Sequence, residues 1–532
     1  MRIKTRIIAL SLTAAVVTAC SSAPEAPEDA PPAELPDYGD AEDAVDRDAA
    51  DRPNVPEYRE LSLRDESPEV VDGEEIDDIS SFRVGDVDVI HMTTPANEVV
   101  AARLFFAGGS AMLDESVAGI EQLALAVATN GGTESTPRDE FNARLDAVGS
   151  SVGYFANRDF TGYTMRSVGT HFDETWELFI ESIFEPAFGD EEVERRRDRQ
   201  LANIRSIVDN PDRLVNEVAR DLVFADHPYN VRQMGTEETV PEFSTDQLRA
   251  WHSNMLAPER MLLVVVGNVD RSEIEEKVKE SLGRIEPTGL EVPQLPGLSA
   301  DEPALRVEQL DLPTNYILGY YDTPERGHED YAALTLATRH LRDRLFEEVR
   351  TKRNLTYAVS SGLGDRGDNV GFLYVTAVDP GATIPVIMDE VERLQNEAIT
   401  DDDLEKVRNV FLTSHYQDLE TNASIAGQLA RAQLFAGDWT TSQSFLDEVM
   451  DVTPEDIQRV ATDYMHTFQF GVVGDPDAVP PELFGVESDE AETVDEIEDP
   501  DLEDIEEAQP PSPPEGEEPP EGEEPPPGDA PM

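Results

Sequence analysis

Hydrophobic and polar positions follow two regular spacings between residues 81 and 480. Period-two alternation, which is typical of strands with one buried face, covers residues 84–91, 99–106, 153–158 and 161–167. Apolar positions spaced by about 3.6 residues, which is typical of amphipathic helices, cover residues 119–129, 138–148, 175–184, 191–208, 213–224 and 272–282. The apolar run Met261–Gly267 predicts a strand that is buried on both faces. Strands mixed with several helices predict an α+β fold.

The same order of elements occurs twice. The helical stretch 192–224 aligns with 403–435 at an offset of 211, and the strand at 264–270 aligns with 471–477 at an offset of 207. A repeat of this length is too long for a solenoid and indicates two similar domains. We therefore predict tandem domains at 81–287 and 304–480, joined by a Pro-rich linker at 288–303.

The chain has a formal net charge of −72, and its acidity is concentrated in two flanks. Residues 21–80 contain 21 acidic residues and four arginines, and residues 481–532 contain 21 acidic residues and no base. Segments with so little to bury cannot offset chain entropy, which predicts a disordered tether at 20–80 and a disordered tail at 481–532. The negative field also excludes nucleic acid as a partner and disfavours anionic lipid surfaces.

The N-terminus is typical of a secretory signal peptide. A basic start precedes an apolar run of about eleven residues, which is too short for a permanent membrane helix. The run ends at Val-Thr-Ala-Cys-Ser, which resembles the lipobox of bacterial lipoproteins, and Cys20 is the only cysteine in the chain. We predict a signal peptide at 1–19, lipidation of Cys20 and attachment to the cell envelope through lipid alone. Ser21 favours the outer membrane, facing the periplasm; the alternative is an ordinary secretory signal with a chance cysteine.

Five short motifs occur in one order along the chain. They are F-F-A-G-G-S at 105–110, N-R-D-F-T at 157–161, D-N-P at 209–211, H-P-Y at 227–229 and V-V-G-N-V-D at 265–270. In this order they resemble the insulinase/pitrilysin family of metallopeptidases. The resemblance implies two tandem domains of the insulinase-family (metallopeptidase LuxS/processing-peptidase-like) fold.

The resemblance also locates the family's zinc motif, H-x-x-E-H, and a further glutamate ligand about 75 residues later. Two histidines at i and i+4 share one helix face and can bind one zinc ion, while the glutamate acts as the general base. In this chain the corresponding positions are Gln122, Leu125 and Ala126, followed by Asn203. Hydrocarbon side chains have no donor atoms, and neutral amides are poor zinc ligands. We therefore predict no zinc and no other metal in this chain.

A second family pattern, R-x-x-x-G-L-x-Y, implies substrate binding in the C-terminal domain. Arg350 and Tyr357 lie at its two ends, and Asn354 replaces the usual glycine. The resemblance implies that arginine and tyrosine hold a peptide substrate for a partner's zinc. Asn354 can keep the turn because asparagine tolerates left-handed backbone. The alternative is structural: an arginine near a helix C-terminus and a tyrosine on a half-buried strand.

Three functional hypotheses follow. The first is a non-catalytic, substrate-binding subunit of a heterodimeric zinc metallopeptidase, paired with a catalytic insulinase-family subunit that carries the zinc and inactive when alone. The second is a partnerless peptide-binding or scaffold lipoprotein derived from the same family. The third is a self-sufficient enzyme with a new site, for which the sequence offers no histidine cluster and no G-x-S-x-G motif.

Overall fold

The structure is a computed structural model that describes residues 54–298, 300, 302–367, 369–487 and 492–494. Its strands are β1 (Val70–Ile76), β2 (Ile79–Val84), β3 (Val87–Thr93), β4 (Val99–Ala107), β5 (Ser151–Ala156), β6 (Phe160–Val168), β7 (Met261–Gly267), β8 (Ala304–Gln309), β9 (Asn315–Thr323), β10 (Val359–Leu363), β11 (Asn369–Ala377), β12 (Gln469–Gly474) and β13 (Glu492–Val494). The predicted strands are confirmed, with one correction. Residues 84–91 cross a hairpin turn at Gly85, whose φ of 63° separates β2 from β3.

The helices are α1 (Ile120–Asn130), α2 (Arg138–Ala147), α3 (Phe172–Phe184), α4 (Asp190–Arg205), α5 (Pro211–Val223), α6 (Thr245–Met255), α7 (Arg271–Glu280), α8 (Tyr331–Leu345), α9 (Pro380–Asn396), α10 (Asp401–Asp418), α11 (Asn422–Ala436), α12 (Thr441–Asp451) and α13 (Pro454–Tyr464). The D-N-P motif starts α5: the Asn210 side chain accepts from the Arg213 N–H at 3.2 Å, and Pro211 opens the first turn. Thr421 caps α11 in the same way, accepting from the Ser424 N–H at 3.1 Å. The corresponding helices of the repeat therefore both begin with a side-chain cap.

Two mixed sheets form the framework. The first has the strand order β1-β2-β3-β7-β4-β6-β5, and the second has the order β10-β11-β9-β12-β8-β13. In the first, β3 pairs parallel with β7, which pairs antiparallel with β4. In the second, β8 pairs parallel with β12, which pairs antiparallel with β9. The order β3-β7-β4-β6-β5 thus repeats as β8-β12-β9-β11-β10, which matches the repeat in the sequence.

Strand β7 is apolar throughout because both of its faces are covered. Leu263 and Val265 face the cluster formed with the helices of the first half. Val264 and its neighbours at even positions face a second cluster, which contains Ala426 and Leu429 of α11. Alternate side chains of one strand therefore pack against helices from the two different halves of the chain.

Each half of the chain gives one helix to the sheet of the other half. Helix α11 packs on β4 and β7 of the first sheet, and α5 packs on β8, β9 and β12 of the second. Val215 and Val218 of α5 lie in one buried cluster with Leu318 of β9. A Cβ atom on Gly471 of β12 would lie 2.5 Å from the Ala219 backbone nitrogen, so this strand needs glycine where α5 crosses it. The two sheets are thus tied together by reciprocal helices.

The predicted tether at 20–80 extends too far along the chain. Within it, residues 70–76 form β1, which pairs antiparallel with β2. Arg59 donates to the carbonyls of Ser253 and Leu256 at 3.0 and 3.1 Å, and Leu61 packs against the first core cluster. A few apolar and arginine side chains are enough to fix residues 54–80 despite their acidity. Residues 20–53, the signal peptide and Cys20 lie outside the described residues.

The predicted tail at 481–532 begins too early. The Phe484 ring lies 4.9 Å from that of Phe470 between centroids, and Val486 is buried. Strand β13 pairs parallel with β8, although it lies in the acidic segment. The other residues of the predicted tail, 488–491 and 495–532, lie outside the described residues. Among the described helices, each is too short or too polar to cross a bilayer.

Candidate functional site

Helix α1 carries three of the four positions that correspond to the zinc motif. It packs against β5, α4 and α6 in the first half of the chain. Gly119 precedes it with a φ of 88°, and a Cβ at that position would lie 2.7 Å from the Met234 carbonyl oxygen. A positive φ and a close backbone approach both require glycine there. This glycine fixes where α1 begins and therefore where its first turn is placed.

The first ligand position is Gln122, whose neutral side chain forms a hydrogen bond inside the protein. The Gln122 amide Nε2 donates to the Tyr154 hydroxyl of β5 at 3.1 Å. Burial raises the pKa of Tyr154, while Arg196 and Arg199 on α4 and the Gln122 hydrogen bond oppose that rise. The phenol therefore stays protonated at neutral pH. A neutral amide bound to a neutral phenol, with Arg196 and Arg199 nearby, offers a cation no charged ligand.

The other three positions also lack metal-binding groups. Leu125 is fully buried in the core, and Ala126 is 7% exposed. Asn203 lies on the exposed face of α4, where its carbonyl accepts from the Ser206 hydroxyl at 2.7 Å. These side chains do not fit zinc, which is bound in proteins by His, Cys or carboxylate ligands. In the described part of the chain, no group of three or more His, Cys, Asp and Glu could hold a metal ion. The absence of zinc from the protein itself stays a prediction.

A buried carboxylate at the start of α4 is paired with arginines. Glu192 is 4% exposed and accepts from Arg196 at 2.6 Å. Its second oxygen lies 3.3 Å from Arg138 Nε, and Arg195 pairs with the same oxygen. A buried carboxylate with several guanidinium partners is held as an anion in an ion-pair network. It is therefore used in structure.

Glu121, one residue before the first ligand position, was not marked by any sequence motif. Its side chain is only 3% exposed, and burial raises its pKa to about 8, with Arg260 opposing the rise. Arg260 donates to the Ala107 carbonyl at 2.7 Å. Helix α1 thus contains a buried, titratable carboxyl, but next to the family position and not at it.

The second candidate region lies at the end of α8. The helix continues as a π-helical segment, Phe346–Lys352, which contains Arg350. The Arg350 guanidinium carbon lies 4.8 Å from the Phe346 ring centroid and 4.7 Å from that of Tyr357. Tyr357 is 81% exposed and Phe346 is 47% exposed. The structure therefore brings the two predicted residues together and adds Phe346, which sequence reasoning did not identify. We call these three side chains the arginine–aromatic cluster.

Asn354 forms the turn between Arg350 and Tyr357. It has a φ of 52°, in the left-handed region, as predicted for the residue that replaces glycine. Its N–H donates to the Arg350 carbonyl at 3.1 Å, and the Leu355 N–H donates to the Val349 carbonyl at 3.0 Å. This turn closes the π-helical segment and returns the chain to Tyr357.

Nearby cations are neutralised, whereas Arg350 is not. Glu348 accepts from Lys352 at 2.7 Å, from Arg353 at 2.6 Å and from Arg344 at 3.0 Å. Hydrogen bonds from Lys352 and Arg353 lower the pKa of Glu348 to about 2. Among the residues the structure describes, Arg350 has no carboxylate in ion-pair distance. A guanidinium held between two exposed rings keeps its donors free for a ligand.

Two family models match the chain. The model described as "Insulinase (Peptidase family M16)" matches residues 88–237, and the model described as "Peptidase M16 inactive domain" matches residues 242–411. The chain belongs to the insulinase family. These matches confirm the family resemblance and the predicted α+β fold with two family domains.

Bacterial relatives support the same assignment. The chain is 27% identical over 327 residues to an uncharacterized zinc protease of Mycobacterium leprae, covering 60% of this chain and 74% of the relative. It is 24% identical over 343 residues to the uncharacterized zinc protease YmxG of Bacillus subtilis, covering 62% and 82%. It is 22% identical over 350 residues to the zinc protease PqqE of Helicobacter pylori, covering 63% and 79%.

Solved structures share the fold. A peptidase M16 inactive domain from Pseudomonas fluorescens has a TM-score of 0.67 at 20% identity, covering 74% of this chain and 97% of that one. A protease from Helicobacter pylori has a TM-score of 0.68 at 18% identity, with coverages of 76% and 99%. The periplasmic protease PqqL from Escherichia coli has a TM-score of 0.66 at 14% identity, with coverages of 78% and 48%.

Proposed function

We propose that this chain is the non-catalytic, substrate-binding subunit of a heterodimeric zinc metallopeptidase that acts on peptides in the bacterial envelope. The observation that carries the proposal is the arginine–aromatic cluster, in which Arg350 is partly exposed and, among the described residues, has no carboxylate partner, while its cationic neighbours are paired. A structural arginine would be expected to share the same glutamates. This one is kept available.

The positions around α1 support a division of labour. Activation of water for peptide hydrolysis in this family requires zinc and a general base. The corresponding residues offer a phenol-bound amide at Gln122, hydrocarbon at Leu125 and Ala126, and an exposed amide at Asn203. None of these side chains can take a proton from water at neutral pH. The proposal therefore assigns hydrolysis to a partner subunit that carries zinc.

The cluster can hold a peptide by its backbone. The planar guanidinium of Arg350 presents several N–H donors in a fixed fork, which suits a carbonyl or carboxylate oxygen. The rings of Phe346 and Tyr357 restrict that plane, so less side-chain entropy is lost when the ligand binds. The exposed Tyr357 hydroxyl supplies a further donor or acceptor beside it. A peptide held in this way would be positioned for the partner's zinc.

The proposal includes envelope attachment through Cys20, which lies outside the described residues, and a separate partner subunit. The test begins with the tagged full-length chain, purified from envelope extracts of its own organism, with zinc measured in the recovered complex. We expect no hydrolysis of an unstructured, quenched-fluorescent peptide by the chain alone. Hydrolysis should appear when the co-purified insulinase-family partner is added.

The decisive variant is Arg350→Ala in the assembled pair. Loss of charge-assisted hydrogen bonds to the substrate should lower kcat/KM by about tenfold or more. Arg393→Ala is the matched control, because Arg393 is an exposed arginine of the same half that pairs with Glu397 at 3.1 Å. Equal kinetics for the two variants would remove Arg350 from the substrate site. A chain that binds the peptide but recovers no zinc-bearing partner would instead support the partnerless scaffold.

A further inference from the structure

A large cleft lies in the second half of the chain, apart from the arginine–aromatic cluster. It has a volume of about 810 Å³ and is walled by α8, β10, the end of α10 and α11. These walls correspond by repeat order to α1, β5, α4 and α5 of the first half. One further residue, Arg103 of β4, enters from the first sheet. We call this space the arginine cleft.

The charge of the arginine cleft is opposite to that of the chain. Five arginines line it, against two carboxylates and one histidine: Arg103, Arg326, Arg339, Arg342 and Arg431, with Asp365, Asp418 and His415. In a chain with a net charge of −72, five arginines on one cleft cannot be explained by overall composition. Like charges gathered along one concave surface create a potential that attracts anions.

Two of the arginines that line the cleft lie close together beside Gly427. A Cβ atom on Gly427 would lie 2.7 Å from Arg103 Nη1 and 3.4 Å from Arg431 Nη1, so glycine makes room for both guanidiniums. Burial, and then the charge of Arg431, lower the pKa of Arg103. Arg431 pairs with Asp365 at 2.9 Å, whereas Arg103 has no carboxylate partner among the described residues, and its Nε is buried without a hydrogen-bond acceptor there. Such an arrangement costs stability unless an anion completes it.

Other arginines are oriented by aromatic rings. The Arg339 guanidinium carbon lies 5.2 Å from the Phe411 ring centroid, and its Nη1 donates to the Ser414 hydroxyl at 3.2 Å. Arg326 lies 5.2 Å from the Tyr331 ring and donates to Asp365 at 3.0 Å. A guanidinium that lies over a ring still has its edge N–H groups available for hydrogen bonds, and both of these arginines line the cleft.

One wall of the cleft is an open strand edge. Residues 360–363 of β10 line it, and among the described strands β10 is the outermost of the second sheet and pairs only with β11. No other described strand pairs with its outward N–H and C=O groups. An edge strand offers main-chain hydrogen bonds to an extended peptide, which a small phosphate ligand could not use.

We propose that the arginine cleft binds an extended acidic peptide, whose carboxylates pair with the arginines while its backbone follows β10. The proposal is independent of the partner subunit and of Arg350. The carboxylates have two conceivable sources: a separate acidic polypeptide, or the chain's own segment at 495–532, which contains 16 acidic residues and no base.

The test uses fluorescein-labelled hexaglutamate and hexaglutamine peptides with the full-length protein, followed by fluorescence anisotropy at low salt. We expect hexaglutamate to bind at least about tenfold more tightly than hexaglutamine, with affinity falling as salt rises. Arg103→Met and Arg339→Met should each weaken hexaglutamate binding by about tenfold. Arg144→Met is the matched control, because Arg144 pairs with Glu174 on the surface of the first half.

Thermal unfolding separates loss of binding from loss of folding. Arg103→Met removes a half-buried charge that has a ring contact with Phe155 at 5.8 Å but no carboxylate partner among the described residues, so its Tm should equal or exceed that of the wild type. A full-length variant with all acidic residues of 495–532 changed to their amides identifies the source. Tighter hexaglutamate binding in that variant assigns the cleft to the chain's own segment, and unchanged binding assigns it to a separate polypeptide. Equal binding of the two peptides, or of Arg103→Met and wild type, overturns the proposal.

Discussion

Replacing Glu121 by glutamine should make the protein more stable in alkaline solution. The carboxyl is 3% exposed, and its pKa is raised from 4.5 to about 8 by burial. A carboxyl whose pKa is raised on folding stabilises the folded state fully below pH 4.5, and this contribution is lost as pH rises through 8. The difference between a pKa of 4.5 and one of about 8 corresponds to roughly 5 kcal/mol of unfolding free energy, at about 1.36 kcal/mol per pKa unit. Because the folded protein can relax around the charged carboxylate, we expect a measured loss of about 3–5 kcal/mol.

Urea unfolding of the wild type and Glu121→Gln at pH 5 and pH 9 measures this difference directly. At pH 5 the two proteins should agree within about 1 kcal/mol, because the wild-type carboxyl is then largely neutral in the folded state. At pH 9 the variant should be more stable by about 3–5 kcal/mol. Glu174→Gln, at a side chain that is 42% exposed, serves as the control for removing a glutamate. Parallel pH profiles for wild type and Glu121→Gln would refute the reasoning, because Glu121 would then be charged or solvated in the folded protein.

Three further substitutions test other features. Gly471→Ala places a methyl group against the Ala219 backbone and should cost about 1–3 kcal/mol in urea unfolding; no loss would argue against the helix crossing. His252 is buried, and its Nε2 atom lies 2.7 Å from the Tyr163 hydroxyl oxygen. Burial lowers the pKa of His252 to about 4. Stability from neutral His252 is present above pH 6.5 and lost as pH falls through 4, so His252→Gln should gain about 3 kcal/mol relative to wild type between pH 7 and 4; a constant difference contradicts this. Asn354→Val should lower stability by about 1–2 kcal/mol, because a β-branched residue is strained at φ 52°, whereas Asn354→Gly should not.

Most strands and helices could be predicted from the sequence because periodicity reports which side chains are buried. The apolar run of β7 correctly indicated cover on both faces. Periodicity does not report which element provides that cover, so the reciprocal packing of α5 and α11 could not be foreseen. Arg59 and Phe484 illustrate a second limit. Single anchoring side chains fix segments whose average composition predicts disorder.

Only part of the candidate site could be predicted from the sequence. The loss of metal ligands at Gln122 and Ala126 could be predicted, because it depends only on the residue type at a family position. The burial of Glu121 was not, because a glutamate in the first helical turn is more often a solvated cap that favours the helix dipole. Phe346 could have been noticed, since it lies four residues before Arg350 and therefore on the same helix face.

The reciprocal packing of α5 and α11 changes what a cut in the connecting segment would do. A protease that cleaves between residues 288 and 298, where the structure has no helix or strand, would break one covalent link and leave both buried helix contacts intact. Each fragment expressed by itself would expose the apolar sheet face that the missing helix normally shields, which favours aggregation. The two halves therefore resemble the subunits of a dimer that exchange one helix each. A molecule cleaved in the connecting segment should stay assembled, whereas either half expressed alone should be insoluble.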